Sequence, residues 1–397
     1  MIAALLAVQI VVQSAGPVRT LTAALARARP GDRIVVRAGT YREPAIVVAV
    51  RVEITGEPGA VIAGGAHTTL VVTADGVVIR GLRFTGVTPS TTEDRAAILL
   101  KGVRDCRVED NTIQDAFFGI YAMNAAGCRI ARNRIEGPAR PSAAGGNGIH
   151  LWRSTGMIVE GNVVSRHRDG IYFEFVRHAA VTGNTSAGNL RYGLHFMRSD
   201  SCRYERNAFR RNGAGVAVMY SRGVVMRDNR FEGNRGSAAY GLLLKEISDG
   251  VVRGNRFAEN TVGLYLDDSN RNEVAGNTFV RNGWAVRVLA NANDNRFEGN
   301  RFAANSFDVA TNSRSATSVF VGNWWDRYRG YDLDHDGIGD VRFRPVRLFA
   351  LVVEQSPPSL LLLRSPFVDL LDGAERLMPM LTPEALADRR PLMRIPR

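Results

Sequence analysis

At 397 residues, 45% hydrophobic and 23% charged, with 40 glycines, the chain has the composition of a folded protein with many backbone corners, which excludes disorder and a membrane bundle. The formal charge of +12 is almost entirely arginine, Lys101 and Lys245 being the only lysines. These arginines are scattered beside turns rather than clustered with aromatics, so they read as solvated surface and not as a nucleic-acid interface.

Residues 1–15 form an apolar stretch that ends in small residues before Gly16 and Pro17, which reads as an export signal. No other segment approaches the ~20 apolar residues a membrane span needs; the run Leu360–Leu363 is flanked by Glu354, Pro357, Pro358 and Arg364. Leu21 to Ala28 is helix-prone, with Thr20 as its N-cap and Arg29-Pro30-Gly31 as its stop, and suits the end of a coil. Gly31–Tyr41 and Val77–Phe84 read as the coil's first turns.

From residue 111 a repeat dominates. Asn111, Asn133, Asn162, Asn184, Asn207, Asn229, Asn255, Asn277, Asn300 and Asn323 recur at 22–23 residues, apart from two longer intervals that carry insertions at 137–146 and 235–239. A glycine followed by a short alternating strand keeps pace, as in GIYAM from Gly119, GLHFM from Gly193 and GLYLD from Gly263. Alternation with period two argues for strands, and a repeat this short leaves no room for a crossover helix. The expected fold is therefore all-β, a single-stranded right-handed parallel β-helix of about ten or more turns over residues 16–325, with an N-terminal capping helix and a C-terminal helical tail. Asparagine tolerates the left-handed backbone of a sharp corner, and its amide can bond to the equivalent residue one turn on. Cys106, Cys128 and Cys202 each lie five residues before a ladder asparagine, on the inward face. They read as small buried thiols, with a disulfide or a soft-metal dithiolate between Cys106 and Cys128 as the alternative.

Residues 326–346 change character. Asp332, Asp334 and Asp336, followed by Gly337, reproduce the start of a calcium loop, and Asp340 falls at a ninth-position ligand, although Phe343 stands where a bidentate Glu is expected. The alternative is a solvated acidic turn. Residues 347–397 are rich in Leu, Pro and Arg, with an amphipathic helix expected over Pro366–Met378 that either caps the coil or docks a partner.

The run NWWDRYRGYDLDHDGIGD, then SLLLLRSP, LLDGAERLMPMLTPE and RRPLM, resembles the NosD family, and so do the N-terminal ARPGDRIVVRAGTY and the central repeats. That resemblance implies a non-catalytic periplasmic accessory protein of nitrous oxide reductase maturation. Its implied partners are an ABC ATPase and permease complex, a copper-chaperone lipoprotein and the reductase itself, with copper as cargo. On the strands GLHFM and GVAVM, His195 and Met197 face outward ~7 Å apart, and Met219 takes the place of Met197 one turn on, ~4.8 Å away. Imidazole and thioether suit Cu(I); the plainer reading is a stripe of stacked surface residues. The competing class is a carbohydrate-active β-helix, a lyase or epimerase on an acidic polysaccharide. Such an enzyme needs clustered acids at a groove, whereas outward Glu174 and Asp267 are spread over separate turns.

Overall fold

The structure, a computed structural model, describes residues 8–138, 145–236, 239–313, 317–363, 365–378, 382 and 386–395. It is an all-β parallel solenoid of about thirteen turns, formed as two compact units, residues 1–208 and 209–397.

In the first unit a turn contributes three short strands, as in Arg107–Glu109, Thr112–Ala116 and Phe118–Met123. Each strand pairs in parallel with its equivalent one turn on, so Val108 meets Ile130, Ile113 meets Ile135 and Ile120 meets Ile149. These six side chains are fully buried. Alternation along each strand therefore becomes a continuous column of like residues through the core. The glycine near the start of the third strand has a steric cause: a Cβ on Gly119 would lie 2.4 Å from the carbonyl oxygen of Gly148 on the next turn.

The asparagine ladder is built differently from the sequence expectation. The left-handed residue is the one before each asparagine, Asp110 at φ 56°, Arg132 at φ 54° and Gly161 at φ 62°. The asparagine then fills the corner from inside. Asn133 Oδ1 accepts from both the backbone N–H (3.0 Å) and the side-chain Nδ2 (3.1 Å) of Asn111, and Asn111 Nδ2 donates onward to Ile79 O at 3.0 Å. The same pattern joins Asn133 to Asn162, Asn162 to Asn184 and Asn184 to Asn207. Buried amides are thus satisfied by one another, which is the condition for placing them in a core.

The three cysteines are buried free thiols. The N–H of Cys106 donates to Cys128 Sγ at 3.3 Å, another contact between adjacent turns. Across turns outside the core, Arg132 pairs with Asp110 and Glu109. Half-exposed pairs of this kind contribute only ~0–1 kcal/mol each.

At the N-terminus, residues 1–7 of the expected export signal lie outside the described residues. Gln9–Val12 pairs with Arg33–Val36, and Val12 is buried. The coil therefore takes in part of the segment read as a signal. The helix α1, Leu21–Leu25, is shorter than expected, but Thr20 Oγ1 caps it by accepting from Ala23 N–H at 3.1 Å. The Glu43 carboxylate accepts from the N–H groups of Leu21 (2.7 Å) and Thr22 (2.9 Å). These three first-turn donors have no partner within the helix, so both caps are needed. The turns between α1 and residue 111 include the expected Gly31–Tyr41 and Val77–Phe84, but Leu82 occupies the ladder position there, and its N–H donates to Asn111 Oδ1 at 3.1 Å.

The second unit repeats the design with an aromatic core. Phe231, Phe257, Phe279 and Phe302 stack with ring centroids 4.7, 4.7 and 5.0 Å apart and nearly parallel planes, and Trp325 covers Phe302 at 4.1 Å. The last strand is Trp324–Trp325. Beyond it come α2 (Leu348–Gln355), a 3-10 turn at Pro357–Leu362 and α3 (Pro366–Leu377). Val368 of α3 is buried with Phe307 of the final turns and with Phe349, Ala350 and Val353 of α2, so the tail closes the apolar end of this unit. Yet Leu361 is 92% and Leu370 70% exposed, an apolar surface that capping does not use.

The ladder ends on a carboxylate. Asp388, fully buried, accepts through Oδ2 from Asn323 N–H (2.9 Å), Asn323 Nδ2 (3.0 Å) and Trp325 Nε1 (3.1 Å), and through Oδ1 from Gly322 N–H (3.2 Å). It occupies the place of the next asparagine.

Candidate functional site

His195 and Met197 lie on the strand Tyr192–Met197, on the outward face of its sheet, beside Tyr172 and Glu174 of the preceding turn. The exposure expected of His195 is not found. It is 4% exposed, because the Tyr172 ring at 4.9 Å and the Tyr192 ring at 4.8 Å cover it. The carboxylate of Asp169, fully buried, lies with Oδ2 3.7 Å from His195 Nδ1. Arg191 Nε donates to Asp169 Oδ1 at 2.8 Å, and Tyr192 N–H does so at 3.2 Å. Burial pushes the Asp169 carboxyl up, but the Arg191 guanidinium and the neighbouring His195 outweigh that and hold it at about 2. Asp169 is therefore ionised at neutral pH and stands beside Nδ1 of His195. Both ring nitrogens of His195 are buried with no hydrogen-bond partner. A carboxylate beside one ring nitrogen is a feature that metal-ligating histidines share.

Met197 is half-buried at the end of the same strand, and its sulfur accepts a long contact from Tyr172 Oη at 3.9 Å. The Tyr172 hydroxyl also reaches Glu174 Oε2 at 3.4 Å, and burial pushes its pKa up to about 12. Met219 ends the strand Ala214–Met219 of the second unit and is likewise half-buried. One imidazole nitrogen and one thioether on a single strand fit a soft ion, since hard cations compete poorly for either.

The acidic loop comes together in part. One carboxylate oxygen from each of Asp332, Asp334 and Asp336 lies within 4.8 Å of the others. Asp332, half-buried, also accepts from Asp336 N–H at 3.1 Å and Gly337 N–H at 3.0 Å, with Gly337 at φ 85°. Asp340 stands apart from the cluster: its Oδ2 accepts from Leu333 N–H at 2.8 Å and ties the loop closed. Three carboxylates at this spacing fit a hard cation.

Sequence reading missed Asp169, Arg191, Tyr172 and Tyr192 around His195. The available signal was position: Asp169 directly precedes the repeat glycine Gly170, where Asn147 precedes Gly148.

A family model described as "Periplasmic copper-binding protein (NosD)" matches residues 139–330. A protein of Pseudomonas aeruginosa described as "Probable ABC transporter binding protein NosD" is 31% identical, over 96% of this chain and 96% of its own length. A protein of the same description from Stutzerimonas stutzeri is 28% identical, over 86% of this chain and 82% of its own. Among solved structures, a PL6 alginate lyase shares 12% identity over 80% of this chain and 85% of its own, with a TM-score of 0.60. The family 28 exopolygalacturonase of Yersinia enterocolitica shares 12% over 79% and 78%, with a TM-score of 0.58. At that identity they share the fold alone. The likeness to the Pseudomonas aeruginosa protein, by contrast, runs through the coil, the acidic loop and the tail, and the chain belongs to the NosD family.

Proposed function

We propose that this chain is a periplasmic accessory protein for copper-site maturation of nitrous oxide reductase, acting with an ABC-type transporter and a copper chaperone and catalysing no covalent step. The observation that carries this reading is the end-to-end likeness to relatives described as binding proteins of an ABC transporter, within a family described as periplasmic and copper-binding. Copper is the cargo, and His195 with Met197 supplies a place for it to rest. Few ligands and a half-buried thioether make a weak site, which suits an ion that must be passed on. The Asp332, Asp334 and Asp336 loop holds calcium for structure. The tail serves two purposes: Val368 and α2 seal the coil, while Phe367, Leu370 and Leu361 present apolar surface to the permease. Among the described residues no helix is long and apolar enough to cross a membrane, so contact with the bilayer-embedded partner runs through such a surface.

The test is co-purification with the ATPase and permease, comparing the full chain with a version that ends before Pro366. The full chain is expected to be retained and the truncated chain lost, while the β-sheet circular dichroism persists. Equal retention of both would reduce the tail to a cap, and failure of the full chain to bind would remove the transporter from the account.

A further inference from the structure

Beside the site above, a cleft of about 430 Å³ opens over the outward face of the first unit, a size usual for small-molecule sites. Its carboxylates are Asp94 and Glu174, and its rings are Phe118, His150 and Tyr172. Strand register places them. Asp94 stands two residues before the strand Ala96–Lys101, whereas Glu174 ends the strand Ile171–Glu174. Lys101 pairs with Met123, Met123 with Trp152 and Trp152 with Glu174, so the two strands are three turns apart. The carboxylates therefore mark opposite corners of this face, their backbones separated by ~14 Å along the coil axis. Phe118, His150 and Tyr172 come from three successive turns and form a continuous run, with ring centroids 5.5 and 4.7 Å apart.

The charge of the cleft is negative at both corners. Neither Asp94, which is exposed, nor Glu174 makes an ion pair among the described residues, although Glu93 beside Asp94 pairs with Arg95 at 2.9 Å. Glu174 accepts only from the Tyr172 hydroxyl, at 3.4 Å. Arg168, the one cation in the lining, is committed elsewhere: its Nη2 donates to Asn147 Oδ1 at 3.4 Å, and its Nε lies 4.0 Å from the ionised carboxylate of Asp169. His150 adds no positive charge, because burial pushes its pKa down to about 3. Tyr121, stacked on His150 at 4.5 Å, feels both corners at once: burial, and then the charges of Asp94 and Glu174, push its hydroxyl up to about 12.

Two unpaired carboxylates at a distance, with aromatic rings between them, suit a long cation charged at both ends and apolar in the middle. Ammonium groups are held by carboxylates and attracted to ring faces, and aliphatic amines keep their proton at neutral pH, as lysine does. We infer that the cleft binds a linear aliphatic polyamine, with one terminal ammonium at Asp94, the other at Glu174 and the methylene chain along Phe118, His150 and Tyr172. A short diamine satisfies one corner only, and a monoamine of equal length leaves one carboxylate unmet. This is binding without turnover, and it adds to the copper reading without depending on it.

The test is calorimetric titration of the purified full chain with spermidine at about 0.15 M salt, where diffuse surface attraction is screened. 1,3-Diaminopropane is the short control and octylamine the singly charged one. Saturable binding of spermidine is expected, at least tenfold tighter than either control. Asp94→Asn and Glu174→Gln are each expected to weaken it at least fivefold with the melting temperature unchanged, and Glu246→Gln, at an exposed carboxylate of the second unit, to leave it unchanged. Equal affinity for either control, no binding at millimolar spermidine, or an equal loss in the Glu246 variant, which would mark attraction to surface carboxylates in general, each overturns the proposal.

Discussion

Replacing Asp388 by alanine removes the carboxylate that ends the asparagine ladder. Five donors lose their acceptor: the N–H groups of Gly322, Asn323 and Arg390, Asn323 Nδ2 and Trp325 Nε1. Asn323 is fully buried and Trp325 is 2% exposed, so water reaches their donors poorly. An unsatisfied buried donor costs about 1–3 kcal/mol, and more where the lost partner is charged. Partial relaxation and water entry at Gly322 and Arg390 reduce the sum, which leaves a loss of roughly 3–5 kcal/mol for Asp388→Ala. The backbone bonds of residue 388 with Phe343, at 2.8 and 2.9 Å, survive the substitution, so the segment stays attached. Asp388→Asn keeps one acceptor oxygen and should lose about half as much. Because each solenoid turn packs only on its neighbours, the damage should be local. Urea unfolding gives the magnitude, and hydrogen exchange gives the place, with faster exchange over Val319–Trp325 and unchanged exchange over Arg107–Met123. A loss under 1 kcal/mol, or even loss of protection throughout the chain, would refute the view of Asp388 as a terminal ladder cap.

Competition with a Cu(I) chelator under anaerobic conditions should show weaker copper binding in Met197→Leu, which keeps apolar bulk and removes sulfur; unchanged affinity would return this residue to packing. Chelation of calcium should lower the melting temperature of the wild type and leave Asp334→Ala unaffected, since a bound ion stabilises only the state that holds it; equal melting with and without chelator would remove the ion. Burial raises the Asp308 carboxyl to about 6 from 3.8. A carboxyl with a raised folded pKa destabilises the fold above that value, and the cost fades as pH falls through 6 towards 4, by up to about 3 kcal/mol. Asp308→Asn, which retains an acceptor for Asn305 Nδ2, should therefore stabilise the protein at pH 7.5 and do little at pH 4.5; a gain independent of pH would exclude titration as its cause.

The coil was legible because its cause is periodic. Each asparagine from Asn111 to Asn323 solves the same corner, so the solution recurs in the sequence at the spacing of the turns. The first turns were less legible where Leu82 stands in for asparagine and brings no side-chain amide of its own to the corner. The conformation of the corner was misassigned to asparagine, since bonding capacity and left-handed backbone usually coincide in that residue. Here they are divided between neighbours such as Asp110 and Asn111. The outward parity of His195 was legible from period-two alternation, but its cover was not. Tyr192 covers it from the start of the same strand, and Tyr172 and Asp169 from the preceding turn, contacts that alternation does not encode. Asp388 is 65 residues from Asn323, and its role depends on how the tail returns to the coil. The acidic loop was read from a local motif and three of its four carboxylates do converge, whereas Asp340 serves the backbone of Leu333 instead.

The central claim is that this chain is needed to furnish nitrous oxide reductase with copper. The most direct measurement is the copper content of the reductase purified from cells that express it with the ABC transporter and the copper chaperone, with and without this chain. The account predicts full copper loading with the chain, strong depletion without it, and normal levels of reductase polypeptide in both. Equal copper in the two preparations would contradict it.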